Sequence, residues 1–129
     1  MPDVMTTLRR ARTMEQEIGI QLAHIERLHR ISARAGNSTA FAAETVEKLS
    51  HLERQLNRTI DEMCDAKRDA LEYISYLTGE ERAVIEGYYI LAKTWQKLST
   101  ELYMSERRMF MLRKSGLAKL TERFGKKAE

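Results

Sequence analysis

Thr94-Trp-Gln-Lys-Leu-Ser-Thr-Glu-Leu102, Tyr103-Met104 and Ser105-Glu-Arg-Arg-Met-Phe-Met-Leu-Arg-Lys-Ser-Gly-Leu-Ala-Lys-Leu120 form one continuous run that decides the fold. Thr94 and Ser105 each stand where a hydroxyl can accept a hydrogen bond from a helix's first free amides. They open a short helix, Trp95 to about Leu102, and a longer basic one, Glu106 to about Phe124, with a tight break between. Trp95, Leu98 and Leu102 fall on the inward face of the first. Met104 plugs the turn, and Met109, Leu112, Leu117 and Leu120 hold the second helix to a core. That leaves Glu106, Arg107, Phe110, Met111 and Lys114 pointing outward, flanked by Arg108 and Arg113. A helix-turn-helix needs this division, because its second helix must show side chains to base edges in the major groove while its back stays packed. The recognition helix is expected over about 106–122.

Immediately upstream, Thr78-Gly79-Glu80-Glu81 reads as a capping box, Thr78 with Glu81 three residues on. It opens a helix over about Gly79–Ala92, with Ala83, Val84, Tyr88 and Leu91 on one side. Tyr88-Tyr89 reads as one core and one surface tyrosine. Two long helices precede it. The first, about Asp3–Ala35, carries Val4, Leu8, Ala11, Ile18, Leu22, Ile25 and Leu28 as a stripe. The second, about Thr39–Leu77, carries Ala42, Val46, Leu49, Leu56, Ile60, Met63, Ala70, Ile74 and Leu77. Spacings of three, four and seven place each set on one helix face. Gly36-Asn37-Ser38-Thr39 separates the two helices. At ~1.5 Å per residue each is about 50–55 Å long, so the narrow stripes signal a coiled coil. An intramolecular hairpin and an intermolecular seam both fit, and Glu15 and His29 interrupt the heptad. Two helices alone bury little, which favours self-association as a homo-dimer or higher homo-oligomer through residues 1–77. The expected fold is all-α: a long antiparallel hairpin or coiled coil over 1–77, then a three-helix DNA-binding unit with a basic tail over 78–129.

Composition agrees with helices: 43% hydrophobic and 32% charged residues, one Pro and six Gly. The net charge of +3 is unevenly spread. Residues 1–77 hold 11 Lys/Arg against 12 Asp/Glu, and residues 78–129 hold 11 against 7, so a polyanion should meet the C-terminal end. The single cysteine, Cys64, reads as a partly buried thiol with no base beside it. His24, His29 and His51 lack a ligand spacing and read as surface or seam residues. Asp61, Glu62, Asp65 and Asp69 alternate with Lys67 and Arg68 and read as a solvated acidic face. No catalytic constellation, metal site or cofactor motif is expected. No apolar run reaches the roughly 20 residues that span a bilayer, and no signal peptide is evident, so a cytoplasmic, non-membrane protein is expected.

The segment Leu77–Leu120 resembles the C-terminal helix-turn-helix of bacterial sigma factors, which reads the upstream promoter element. The resemblance lies in L77-T-G-E-E-R-A-V-I85, T94-W-Q-K-L-S99 and S105-E-R-R-M109 followed by G116-L-A-K-L120. With the long helical first half, the whole chain is similar to small phage and prophage sigma-like transcriptional regulators. The resemblance implies binding to double-stranded DNA, with RNA polymerase as a further partner for the helical arm, in a bacterial host cytoplasm. Two positions depart from the pattern. Tyr103 stands where the turn often has Gly, so a different backbone accommodation is expected, and Phe110 stands where a basic residue is common.

On this reading Arg107 donates to guanine, and Glu106, Phe110 and Met111 complete the base-facing set. Arg108, Arg113 and Lys114, then Lys93 and Lys97, meet phosphates. Lys119, Arg123, Lys126 and Lys127 read as a solvated tail. Two other functions fit the same residues: a small-terminase-like DNA-packaging recognition subunit, and a polymerase- or protein-interaction module that makes no DNA contact.

Overall fold

Alternating steps of four and three residues set the first packing interface. In helix α2 (Thr39–Ile74) they pick out Thr45, Leu49, Leu52, Leu56, Thr59, Met63, Ala66, Ala70 and Tyr73, all buried or half-buried. Helix α1 (Val4–Ala35) faces this seam with Val4, Leu8, Ala11, Ile18 and Ile25. The computed structural model describes residues 3–35 and 39–125; the expected break at Gly36-Asn37-Ser38 and the tail residues Lys126 and Lys127 lie outside the described residues.

Two polar links cross the seam. Lys67 Nζ lies 2.5 Å from Glu15 Oε1, and Gln21 Nε2 donates to Thr59 Oγ1 at 3.0 Å. A residue early in α1 thus meets one late in α2, so the helices run antiparallel within one chain. Glu15, an interruption in the apolar stripe, is held by its lysine. Most of the stripe residues that suggested self-association face one another, although Leu22 is 43% exposed.

The α2 stripe read from sequence drifts at its N-terminal end. Val46 is 62% exposed and Ala42 is also exposed, while Thr45 and Thr59 are buried. Apolarity favours Val46 as a seam residue, but a 3.5-residue repeat requires position 45. Thr59 shows how threonine fits there: its hydroxyl donates to the Gln55 carbonyl oxygen at 3.0 Å while accepting from Gln21. The same register leaves Cys64 exposed between the seam positions Met63 and Ala66, not partly buried as expected.

Beyond Leu77 the chain turns into α3 (Gly79–Ile85), with Gly79 at φ +61°. The expected capping box is not formed. Thr78 is extended and its side chain caps nothing, and the Glu81 side chain, the other half of the box, reaches across to α5 instead. A single π-helical turn, Glu86–Ile90, continues α3, closed by the Leu91 amide donating to the Glu86 carbonyl oxygen. Its wider turn shifts the helix phase. Tyr89 and Ile90 enter the core, Tyr88 is only partly buried, and Leu91, expected inward, is 53% exposed.

Helices α4 (Trp95–Leu102) and α5 (Glu106–Leu120) follow, and a π-helical turn over Thr121–Gly125 extends α5. Every regular element among the described residues is helical, as expected. One buried cluster joins the start of α1 and the end of α2 to α3, the π-turn and α5, through Leu8, Tyr73, Ile85, Tyr89 and Leu120. A second, smaller cluster of Val84, Leu98 and Met109 holds α4 and α5 to α3. Two glycines permit the closest approaches. A Cβ on Gly87 would lie 2.5 Å from Leu98 Cδ2, and one on Gly116 would lie 2.8 Å from Ile85 Cδ1.

Candidate nucleic-acid interface

Both caps expected around α4 and α5 are formed. Thr94 Oγ1 accepts from the Lys97 amide and Ser105 Oγ from the Arg108 amide, each at 3.1 Å. Between the helices, Tyr103 takes the left-handed conformation (φ 55°, ψ 45°) with its ring 94% exposed. The different backbone accommodation expected at this non-glycine position is not seen. The turn uses the left-handed geometry that favours glycine, and tyrosine carries the strain. Ser99 locks the turn from below: its carbonyl oxygen accepts from the Met104 amide at 3.2 Å, and its hydroxyl donates to the Met104 carbonyl oxygen at 2.5 Å.

The back of α5 is fixed by Met109, Gly116 and Leu120, all buried. Its opposite face carries Arg107, the adjacent pair Phe110 and Met111 three and four residues on, and Lys114 one turn beyond, all exposed. Phe110 and Met111 are 58% and 61% exposed. Glu106 lies exposed in the first turn. Arg107, Met111 and Ser115 share a shallow concavity beside this face. Among the described residues, Arg107, Lys114 and Lys97 have no ion-pair or side-chain hydrogen-bond partner.

The remaining basic candidates are engaged within the domain. Arg108 pairs with Glu80. Lys93 pairs with Glu101 at 2.5 Å, and its ammonium group, by hydrogen bond first, holds that carboxyl below the ordinary carboxylate value. Arg113, expected to meet phosphate, turns inward. Its Nε and Nη2 donate to Tyr89 Oη at 3.2 and 3.1 Å, and its guanidinium lies 5.6 Å from the Trp95 ring. Trp95 itself is half-buried, stacked on Tyr88 with centroids 4.3 Å apart. Lys119 and Ser115 bind Glu81. Arg123, read as solvated, donates to Tyr76 Oη at 2.6 Å.

No family model, curated protein or solved structure matches the chain.

One residue that positions this surface escaped the sequence reading. Arg12, on α1, donates through Nη1 to the carbonyl oxygens of Tyr88 (2.6 Å) and Lys93 (3.1 Å). It satisfies two carbonyls left over where the π-turn ends, just before Thr94 starts α4. The partners lie 76 and 81 residues away, beyond any local pattern. The α1–α2 pair is thereby clamped to the α4–α5 unit.

The electrostatic result is a helix face with a free arginine near its N-terminal end, two large apolar side chains in the middle and a free lysine beyond them. Lys97 adds a third cation from the first turn of α4, without a close ion pair but attracted to Glu101 one turn on. Such a face can donate hydrogen bonds, attract an anion and bury apolar groups. Among the described residues no three His, Cys, Asp or Glu gather as a metal site, and no helix is long and apolar enough to cross a membrane.

Proposed function

We propose that the protein is a sequence-specific double-stranded DNA-binding transcription regulator of phage or prophage type, with α5 lying in the major groove. The observation that carries this reading is Arg107: exposed, unpaired and on the same outward face as Phe110, Met111 and Lys114, while the back of its helix is locked into the core. A side chain so placed can donate two hydrogen bonds to the O6 and N7 of guanine. Lys97 and Lys114 supply phosphate contacts. Arg108 joins them by exchanging Glu80 for a phosphate, and Lys93 by exchanging Glu101. Arg113 is withdrawn from the contact set, since its guanidinium supports Tyr89 and Trp95. The local sequence resemblance to sigma factors points the same way.

The arm built from α1 and α2 projects about 35 Å beyond Arg12, at ~1.5 Å per residue. That distance suits a contact with RNA polymerase. A homo-oligomer would have to use the outer faces of the arm, where Ile20, Ile31 and Val46 are exposed.

The test is a mobility shift of the intact protein on host and phage genomic fragments across a salt series. Binding that strengthens steeply at low salt, and that Arg107→Ala weakens at specific fragments, supports the reading. No shift at ~50 mM salt, where several phosphate contacts should bind tightly, overturns it. Phe110 and Met111 favour one other reading, in which the same face docks on a protein. Duplex binding that survives Arg107→Ala/Lys114→Ala and disappears in no variant of α5 would turn the assignment that way.

A further inference from the structure

The polar side chains that could read bases on α5 are few. Arg108, paired with Glu80 and assigned to phosphate, and Arg113, held by Tyr89, do not read bases, which leaves Arg107 and Glu106 in the N-terminal half. The centre of the outward face is instead apolar, with Phe110 and Met111 both more than half exposed. Packing within the protein does not account for them, since the helix meets the core through Met109, Gly116 and Leu120, with Leu112 and Leu117 half-buried beside them. Free cations bracket the pair, Arg107 one turn before and Lys114 one turn after, so a partner that covers it must bring negative charge to both sides.

A duplex does this with its two phosphate backbones while presenting, in the major groove, a single apolar group: the 5-methyl of thymine. At ~1.5 Å per residue the apolar pair lies about 5 Å along the helix from Arg107, one to two base steps at ~3.4 Å each. We infer that Phe110 and Met111 read thymine methyl groups one to two steps from the guanine bound by Arg107. Sequence preference then rests on apolar contact as much as on hydrogen bonding. Met111, flexible and flanked by Arg107 and Ser115 in a shallow concavity, adapts its thioether to the methyl, and Phe110 covers the neighbouring step. This inference rests on the DNA reading above and specifies the chemistry of its site.

The experiment selects duplexes from a randomised library with the full-length protein. The selected duplex is then compared, by titration, with the same duplex synthesised with deoxyuridine in place of each thymidine. The exchange removes one methyl per base and no hydrogen-bonding group. We expect about fourfold weaker binding for each contacted methyl removed. Phe110→Ala/Met111→Ala should still bind the thymidine duplex, more weakly, and should no longer distinguish it from the deoxyuridine duplex. Both side chains are solvent-exposed, so helical content and thermal unfolding of the variant should match the parent. If duplexes are selected but deoxyuridine costs nothing, or if the double variant discriminates as well as the parent, methyl reading is overturned and the DNA reading stands. If no duplex is selected at all, both fall.

Discussion

The guanidinium of Arg12 lies 3.9 Å from the centroid of the Tyr88 ring while Nη1 of the same group donates to the Tyr88 carbonyl oxygen. Tyr88 stacks in turn on Trp95, the first residue of α4, at an interplanar angle of 13°. The arm is therefore coupled to the α4–α5 unit through one cation and two rings.

Arg12→Ala should destabilise the protein by about 3 kcal/mol, combining charged hydrogen bonds to two carbonyls with a partly desolvated cation–π contact. Arg12→Lys should recover little, because an ammonium cannot span both carbonyls while lying flat on the ring. Urea denaturation checks this. A loss below 0.5 kcal/mol for the alanine variant would show that the clamp is dispensable.

Tyr103→Gly should stabilise the fold. The left-handed backbone costs tyrosine about 1 kcal/mol that glycine does not incur, and an exposed ring forfeits little when removed. The midpoint of thermal unfolding should rise by about 4 °C. Tyr103→Ala removes the ring but keeps the strain, so it should show no such gain. A rise in the alanine variant equal to that of glycine would assign the effect to the ring.

Glu81 gives stability a defined pH dependence. Hydrogen bonds from Lys119 first, and then from Ser115, hold its carboxyl below the ordinary value of 4.5. A depressed folded value means that the contribution is present above the ordinary carboxylate range. It is lost as pH falls through 4.5 towards the folded value. Glu81→Gln should accordingly be less stable than the parent near pH 6, with the gap narrowing by pH 3. Salt should also narrow it, since the Lys119 partner is exposed. A gap that is constant between pH 6 and pH 3 would contradict the assignment.

How far the sequence is legible depends on the range of the forces involved. Thr94 and Ser105 mark the starts of α4 and α5 to the residue, because capping is decided within three positions. Met109 and Leu98 are recognisable as core for the same local reason. Thr78-Gly79-Glu80-Glu81 has the same local signature, yet Glu81 is captured by Ser115 and Lys119, 34 and 38 residues away. The π-turn at Glu86–Ile90 has no periodic signal of its own, so Tyr89 and Ile90 take the buried positions while Tyr88 is half-buried and Leu91 is exposed. On the candidate surface, Arg107 and Arg113 look alike as letters. Only the tyrosine hydroxyl beneath Arg113 separates a free arginine from a structural one.

That separation yields the sharpest contrast for the DNA reading. Arg107→Ala removes a base-facing donor pair, worth roughly 1–3 kcal/mol, so specific affinity should fall about 10- to 100-fold while non-specific binding changes little. Lys114→Ala removes a phosphate contact: affinity should fall across all sequences, and the slope of log affinity against log salt should flatten by about 1. Arg113→Ala should act differently from both. It leaves the Tyr89 hydroxyl without its guanidinium donors and removes a cation from the Tyr88–Trp95 stack, so unfolding should come first. At a temperature where that variant is still folded, its salt slope should equal that of the parent. A flattened slope for Arg113→Ala with unchanged stability would mean that this arginine swings out to the phosphates, and the division of labour on α5 would have to be redrawn.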